Sequence, residues 1–134
     1  MKNIKIVILL GVIGFTLYSF KTLVQDEWVV PDKYKAMKNP TDPTSKKNLS
    51  LGKSLYSQQC QACHGKQGYG DGLKAKGLKG DLGDFSSDAT QSLTDGALFY
   101  KITKGREDMP VFEKKLPLAE DRWLIVNYLR TLKE

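Results

Sequence analysis

Residues Cys60-Gln61-Ala62-Cys63-His64 constrain this 134-residue chain more than any other stretch. The two cysteines are the only ones in the sequence, and His64 is the only histidine. Two thiols with two residues between them are too close to staple distant parts of a chain, so they form one local device. A zinc site needs about four Cys or His ligands, and the chain offers two Cys and one His. A dithiol redox motif sits at a helix start beside strand-helix-strand units, whereas this pair ends a helical pattern in a strand-poor sequence. A plain disulfide leaves His64 and the Gly-rich stretch after it without purpose. The chemistry that uses all three side chains is covalent attachment of one c-type haem. Cys60 and Cys63 then add across its two vinyl groups, and the His64 imidazole meets the iron from one side.

With a single histidine, the other axial ligand differs in kind. Three methionines exist: Met1 precedes an apolar run, Met37 sits in a Pro-punctuated segment, and Met109 stands in Gly105-Arg106-Glu107-Asp108-Met109-Pro110-Val111-Phe112. Met109 is the expected ligand, and Pro110 after it fixes the backbone that carries the sulfur. A thioether is a weak, neutral ligand that favours ferrous iron, so His/Met ligation raises the reduction potential relative to a site with two histidines. Arg106 and Lys104 are candidates to meet the haem propionates, with solvated surface charge as the bland alternative. Tyr69, Phe85, Phe99, Phe112 and Trp123 are candidates for the pocket wall or simply for the core. Lys74, Lys76 and Lys79 either steer an acidic partner or form a solvated loop face.

The chain divides into three parts. Residues 1–24 open with Lys2 and Lys5 and continue as an apolar run from Ile6 to Phe20 broken only by Gly11, Gly14, Thr16 and Ser19. Without a small-residue cleavage site, a stretch approaching the roughly 20 residues that cross a bilayer reads as an uncleaved anchor, with a cleaved signal peptide as the alternative. Residues 25–48, carrying Pro31, Pro40 and Pro43, read as a tether of about 25 to 30 Å root-mean-square span; the alternative is that Trp28 to Tyr34 packs on the domain as an arm. Residues 49–134 form the folded domain. Three helices are expected there: one capped by Asn48 or Ser50 and running to about Gln61 with Leu51, Leu55 and Tyr56 on its apolar face, one after Ser92 or Thr94 ending at Gly105, and one from Pro117 to about Leu132 with Ile125, Tyr128, Leu129 and Leu132 in register. The Gly-rich stretch from Gly65 to Ser92 is too long for a structureless loop unless something other than protein fills the core, and a haem would fill it.

The formal charge of +6 does not mark a nucleic-acid binder. Residues 1–48 hold eight Lys against four acids, and residues 49–134 hold thirteen Lys plus Arg against eleven, so the excess splits as +4 and +2. Binding a phosphate backbone needs a concentrated basic face, which the domain lacks.

Residues 49–134 resemble a class I cytochrome c domain of the bacterial, monohaem, His/Met kind. The resemblance rests on Gly52 and Tyr56 in the first helix, the Cys60-to-His64 motif followed by Gly65, the Gly68-to-Gly72 run, Met109-Pro110, and Ile125 with Tyr128 in a last helix that also carries Trp123. It implies an all-α fold of three main helices and long loops around one covalently held haem c, bound by Cys60 and Cys63 with His64 and Met109 on the iron. One departure stands out: Gly77 to Asp84 holds no proline where many relatives have one near the carbonyl that orients the proximal imidazole. The resemblance further implies an electron carrier, not an enzyme, on the periplasmic side of the cell membrane. It would pass electrons from a quinol-oxidising complex to a terminal oxidase or reductase of the respiratory chain. Redox proteins and the membrane are then the partners, with no nucleic acid and no small-molecule substrate. The alternatives are a cytochrome subunit held tightly in a larger respiratory complex and, third, a haem-based sensor.

Overall fold

The computed structural model describes residues 28–134. The expected anchor, 1–24, lies outside the described residues. Among the described residues the elements are α1 (Asp32–Lys35), α2 (Lys46–Gln59), α3 (Gln61–His64), a 3₁₀ turn (Ala75–Gly77), α4 (Asp88–Gln91), α5 (Asp95–Lys104), α6 (Phe112–Lys115) and α7 (Ala119–Arg130). They include no strand, and the one isolated bridge joins Arg106 to Met109. The expected all-α fold with three main helices is the fold observed.

The first main helix starts three residues earlier than expected. Ser45, not Asn48 or Ser50, is its cap, accepting from the Asn48 N–H, and Asp42 organises the approach by accepting from the Thr44 N–H at 2.8 Å. The register of the buried face differs accordingly. Gly52 and Tyr56 are buried and Leu55 is partly so, whereas Leu51 is 45% exposed. For α5 and α7 the structure follows the sequence closely: Thr94 caps α5 and Gly105 ends it, while α7 buries Ile125 and Leu129 fully and Tyr128 in part.

A close backbone approach and an aromatic pair hold these helices together. Gly52 lies against α7 so closely that a methyl group there would overlap the Leu124 carbonyl oxygen and come within 3.2 Å of the Tyr128 Cβ. Tyr56, one turn on, packs its ring against Tyr128 at 5.1 Å in a tilted pair and donates its hydroxyl to the Gly65 carbonyl at 2.7 Å. At the far end of α7, Arg130 donates to the Gln91 carbonyl at 2.8 Å, the Leu93 carbonyl at 2.6 Å and Asp95 Oδ1 at 2.7 Å, clamping the α4–α5 turn onto the helix. Charge-assisted bonds to three acceptors are worth more than an exposed ion pair.

The Gly-rich stretch is ordered by the short helix before it. The Ala62, Cys63 and His64 carbonyls of α3, which have no partner inside so short a helix, accept from the N–H groups of Lys74 (2.8 Å), Gly72 (3.1 Å) and Gly70 (2.9 Å). The loop thus folds around α3 as its cap.

The segment 25–48 departs most from the tether expected of it. From Trp28 onward it lies on the domain, and its last three residues open α2. Val30 is buried. The Tyr34 ring packs tilted against Tyr100 at 4.7 Å, and the Tyr34 carbonyl occupies the space left by the missing side chain of Gly96. Asn39 donates to Asn127 Oδ1 at 2.7 Å, and Asn127 in turn donates to Thr41 Oγ1 at 2.8 Å. Its prolines suggested a tether but could not show that its aromatic and Asn side chains had partners elsewhere.

Replacing Gly52 with Ala is expected to force α2 and α7 apart at a cost of about 1–3 kcal/mol. A fall in the urea midpoint with an unchanged slope checks this; an unchanged midpoint would mean that the crossing is looser than described.

Candidate functional site

A cavity of about 420 Å³ opens between α3 on one side and the Arg106-to-Pro110 turn on the other. Its size and mostly apolar lining fall within the range of cofactor pockets. Cys60, Cys63 and His64 all line it, as does Met109. The crossing of α2 on α7 sets this arrangement: α2 delivers Cys60 at its C-terminal end, α3 turns Cys63 and His64 inward, and Ile125 and Leu129 of α7 supply the floor together with Leu98 and Ile102 of α5.

The state of His64 can be read from its bonds. Its Nδ1 lies 3.0 Å from the Leu82 carbonyl oxygen. A carbonyl only accepts, so Nδ1 carries the proton and the lone pair sits on Nε2. Burial pushes the imidazole pKa below its ordinary value, outweighing the opposing effect of that hydrogen bond, and so favours the neutral ring. Phe85 stacks on the same ring at 4.6 Å with an interplanar angle of 26° and limits its rotation. A neutral imidazole with one nitrogen bonded to a carbonyl and the other free is what a metal requires of a histidine ligand. The Leu82 carbonyl thereby takes the role that the proline-free stretch Gly77 to Asp84 had left open.

No disulfide joins the two cysteines; Cys60 is buried and Cys63 half-buried. Burial, with a smaller contribution from Cys63, pushes the Cys60 thiol up to about 12. A thiol so reluctant to ionise is a poor thiolate ligand or redox nucleophile; it suits a site where sulfur ends as an uncharged thioether. The described residues contain no cluster of three or more His, Cys, Asp or Glu that could hold a bare metal ion.

Met109 is held by a tight turn. Its N–H donates to the Arg106 carbonyl at 2.9 Å and its carbonyl accepts from the Arg106 N–H at 3.2 Å. Glu107, at the first central position, has φ 54°, a left-handed conformation that a non-glycine residue adopts at a cost. Asp108 reaches out of the turn and accepts from the Lys79 N–H at 2.7 Å, three residues before the carbonyl that orients His64. The two sides of the cavity are tied together through that bond. Of the methionines expected as candidates, Met37 is on the arm and does not line the cavity, and Met1 lies outside the described residues.

The other candidates separate cleanly. Arg106 lines the cavity, whereas Lys104 is turned away and paired with Glu113 at 2.7 Å. Phe85 and Phe112 line it; Phe99 and Trp123 instead stack on each other at 4.0 Å within the core, and Tyr69 donates to Glu134 at the surface. Lys79 stands at the rim, while Lys74 and Lys76 do not line the cavity. The wall also includes Lys101, one turn before Gly105, which was not singled out in the sequence, and Trp28, which follows the alternative reading of its segment as an arm packed on the domain. The four donors sought from the sequence thus come together: two thiols, one neutral imidazole and one thioether facing a single apolar cavity fit a covalently held iron porphyrin.

Residues 47–129 match the family described as cytochrome c oxidase, cbb3-type, subunit III. Among solved structures, a chain of the Kuenenia stuttgartiensis reducing HAO-like protein complex superposes with a TM-score of 0.58 at 26% sequence identity, covering 73% of this chain and 50% of that one. This chain therefore spans about half the length of that solved chain. A search of the curated proteins finds no match.

Asp108→Ala is expected to free the Lys79 N–H and loosen the stretch that carries the Leu82 carbonyl. The loss corresponds to about 1 kcal/mol of local opening free energy. Hydrogen exchange should quicken at Lys79 and its neighbours and slow again in Asp108→Asn, which keeps an acceptor; equal exchange in all three proteins would show that the tie is idle.

Proposed function

This chain belongs to the cytochrome c oxidase, cbb3-type, subunit III family, and from that premise we propose that it is an electron carrier holding one haem c. Family membership implies a cytochrome c domain with covalently bound haem and electron transfer through it. The assignment of residues is ours: thioether bonds from Cys60 and Cys63, and axial iron ligation by His64 Nε2 and Met109 Sδ. The observation that carries it is the convergence of those four side chains on one apolar cavity of about 420 Å³.

Bound there, the haem supplies a one-electron ferric/ferrous couple. The protein does the rest. Leu82 and Phe85 hold the imidazole in one tautomer and orientation, the Arg106–Met109 turn presents a neutral sulfur that favours the reduced state, and the apolar walls keep water away. His64 and Met109 would hold the iron from opposite walls of the cavity, an arrangement suited to electron transfer.

For location, the apolar run from Ile6 to Phe20 supports an anchor that holds the domain at the outer, periplasmic face of the cell membrane. No helix among the described residues is long and apolar enough to cross a membrane, and the run itself lies outside them. In this setting the domain takes electrons from a quinol-oxidising complex and passes them to a terminal oxidase or reductase. A second reading, a subunit permanently held within a respiratory complex, is favoured by one observation: residues 28–45 are latched onto the domain instead of trailing from it. Copurification of other subunits after mild detergent extraction separates the two.

The decisive measurement is a reduced-minus-oxidised spectrum with a denatured pyridine haemochrome, taken on membrane and soluble fractions. One c-type haem per chain is expected, in the membrane fraction, with a near-infrared sulfur-to-iron band that disappears in Met109→Ala. Absence of covalent haem would overturn the reading; a band that survives in Met109→Ala would move the sixth ligand elsewhere.

A further inference from the structure

Trp28 lies upstream of residue 47, where the family match begins, yet it is part of the cavity wall. Its ring meets two cations: the Lys101 ammonium stands 5.2 Å from the centroid and the Arg106 guanidinium carbon 4.9 Å from it. Both distances fall inside the range of cation–π attraction, which strengthens where water is excluded. The fold fixes the ring's position. Two residues on, Val30 is only 6% exposed, and beyond it the arm is held by the Tyr34–Tyr100 ring contact and the Asn39–Asn127 bond. Val29, between them, is 76% exposed, so the backbone turns Trp28 toward the domain and its neighbour toward solvent. Arg106 is also a bridge residue of the turn that carries Met109. Trp28 therefore touches both the rim of the cavity and the device that presents the sulfur.

We propose that the N-terminal arm is a working part of the haem pocket, with Trp28 as a cover whose clamp by Lys101 and Arg106 steadies the Met109 turn and sets the haem's exposure to water. This rests on the haem reading above. Its sign follows from charge. Ferric haem carries one more positive charge than ferrous, so excluding water and keeping two cations close both disfavour the ferric state and raise the potential. Removing the indole admits water, hydrates the cations and lowers the potential. It also frees the Met109 turn, so an external ligand such as cyanide displaces the sulfur faster. Trp28 is a positioning residue in this scheme, acting through Arg106 and through exclusion of solvent.

The test uses the full-length holoprotein, comparing Trp28→Ala, Trp28→Phe and Trp28→Leu with the exposed-site control Val29→Ala. Haem content per chain is measured first, because absence of haem in the unaltered protein would strike the haem assignment and not the cover. With haem present, Trp28→Ala is expected to show a lower midpoint potential and several-fold faster cyanide association with ferric protein, while Val29→Ala matches the unaltered chain. Trp28→Phe, which keeps an aromatic face for the cations, should lie closer to the unaltered protein than Trp28→Leu, which keeps bulk alone. Should Trp28→Ala fail to accumulate, the Phe and Leu variants carry the same comparison. Potentials and cyanide rates equal to those of Val29→Ala across the series would overturn the proposal, as would Leu and Phe variants that behave alike.

Discussion

Everything in this fold follows from how closely α2 and α7 cross. With no side chain on Gly52, the backbone of one helix rests on the Leu124 carbonyl of the other, and that one contact settles where the C-terminal end of α2 points. Cys60 lies at that end, α3 begins one residue later, and the cavity is whatever space remains between α3, α5 and α7. A bulkier residue at 52 would tilt α2 and displace the thiols and imidazole together, because all three follow within twelve residues of Gly52 on continuous helix and turn. The apolar floor is shared with the core: Ile125 and Leu129 belong both to the cavity wall and to the buried cluster around Tyr56. Stability and site geometry are therefore set by the same side chains, and neither can be altered alone.

The parts of this arrangement visible in the sequence are those whose signal is local. Cys60, Cys63 and His64 lie within five residues, Met109 is followed by a proline, and α5 and α7 carry a cap or a periodic apolar face within one window. What stayed hidden involves partners far apart in sequence or groups without side chains. The carbonyl that orients His64 comes from Leu82, eighteen residues on, and a carbonyl is the same on any residue. Leu51 and Leu55 both suited an apolar stripe on α2, but the crossing at Gly52 decides the buried side, and Leu51 falls outside it. Among the basic residues near Gly105, composition could not distinguish Arg106 at the cavity from Lys104 paired with Glu113; only the path of the chain after α5 does so.

The two faces of the cavity are held by different physics. On the His64 side, hydrogen bonds from Gly70, Gly72 and Lys74 saturate the α3 carbonyls and the ring is fixed by Leu82 and Phe85, so the imidazole has little freedom. The Met109 side is a two-residue turn with Glu107 in a left-handed conformation, held by its own bridge and by the Asp108 tie to Lys79. Strain of this kind persists only where surrounding contacts over-determine it. On the proposed ligation, the weaker iron bond, to the Met109 sulfur, would fall to the more strained support. Ligand exchange, where it occurs, should begin there.

Such a division gives the arm its significance. A free tether of residues 25–48 would let the domain swing over tens of ångströms and present its haem in any direction. A latched arm removes that freedom. With the anchor read at residues 1–24, only Gln25, Asp26 and Glu27 separate its end from Trp28, a reach of at most about 14 Å for four extended steps. Trp28 is itself a wall of the cavity, so the cavity mouth would be held within that distance of the point where the chain leaves the bilayer. On the proposed anchoring, a domain leashed at its own haem pocket would not search for partners by free rotation; its redox centre would stay beside the membrane, where an integral complex could approach from the side.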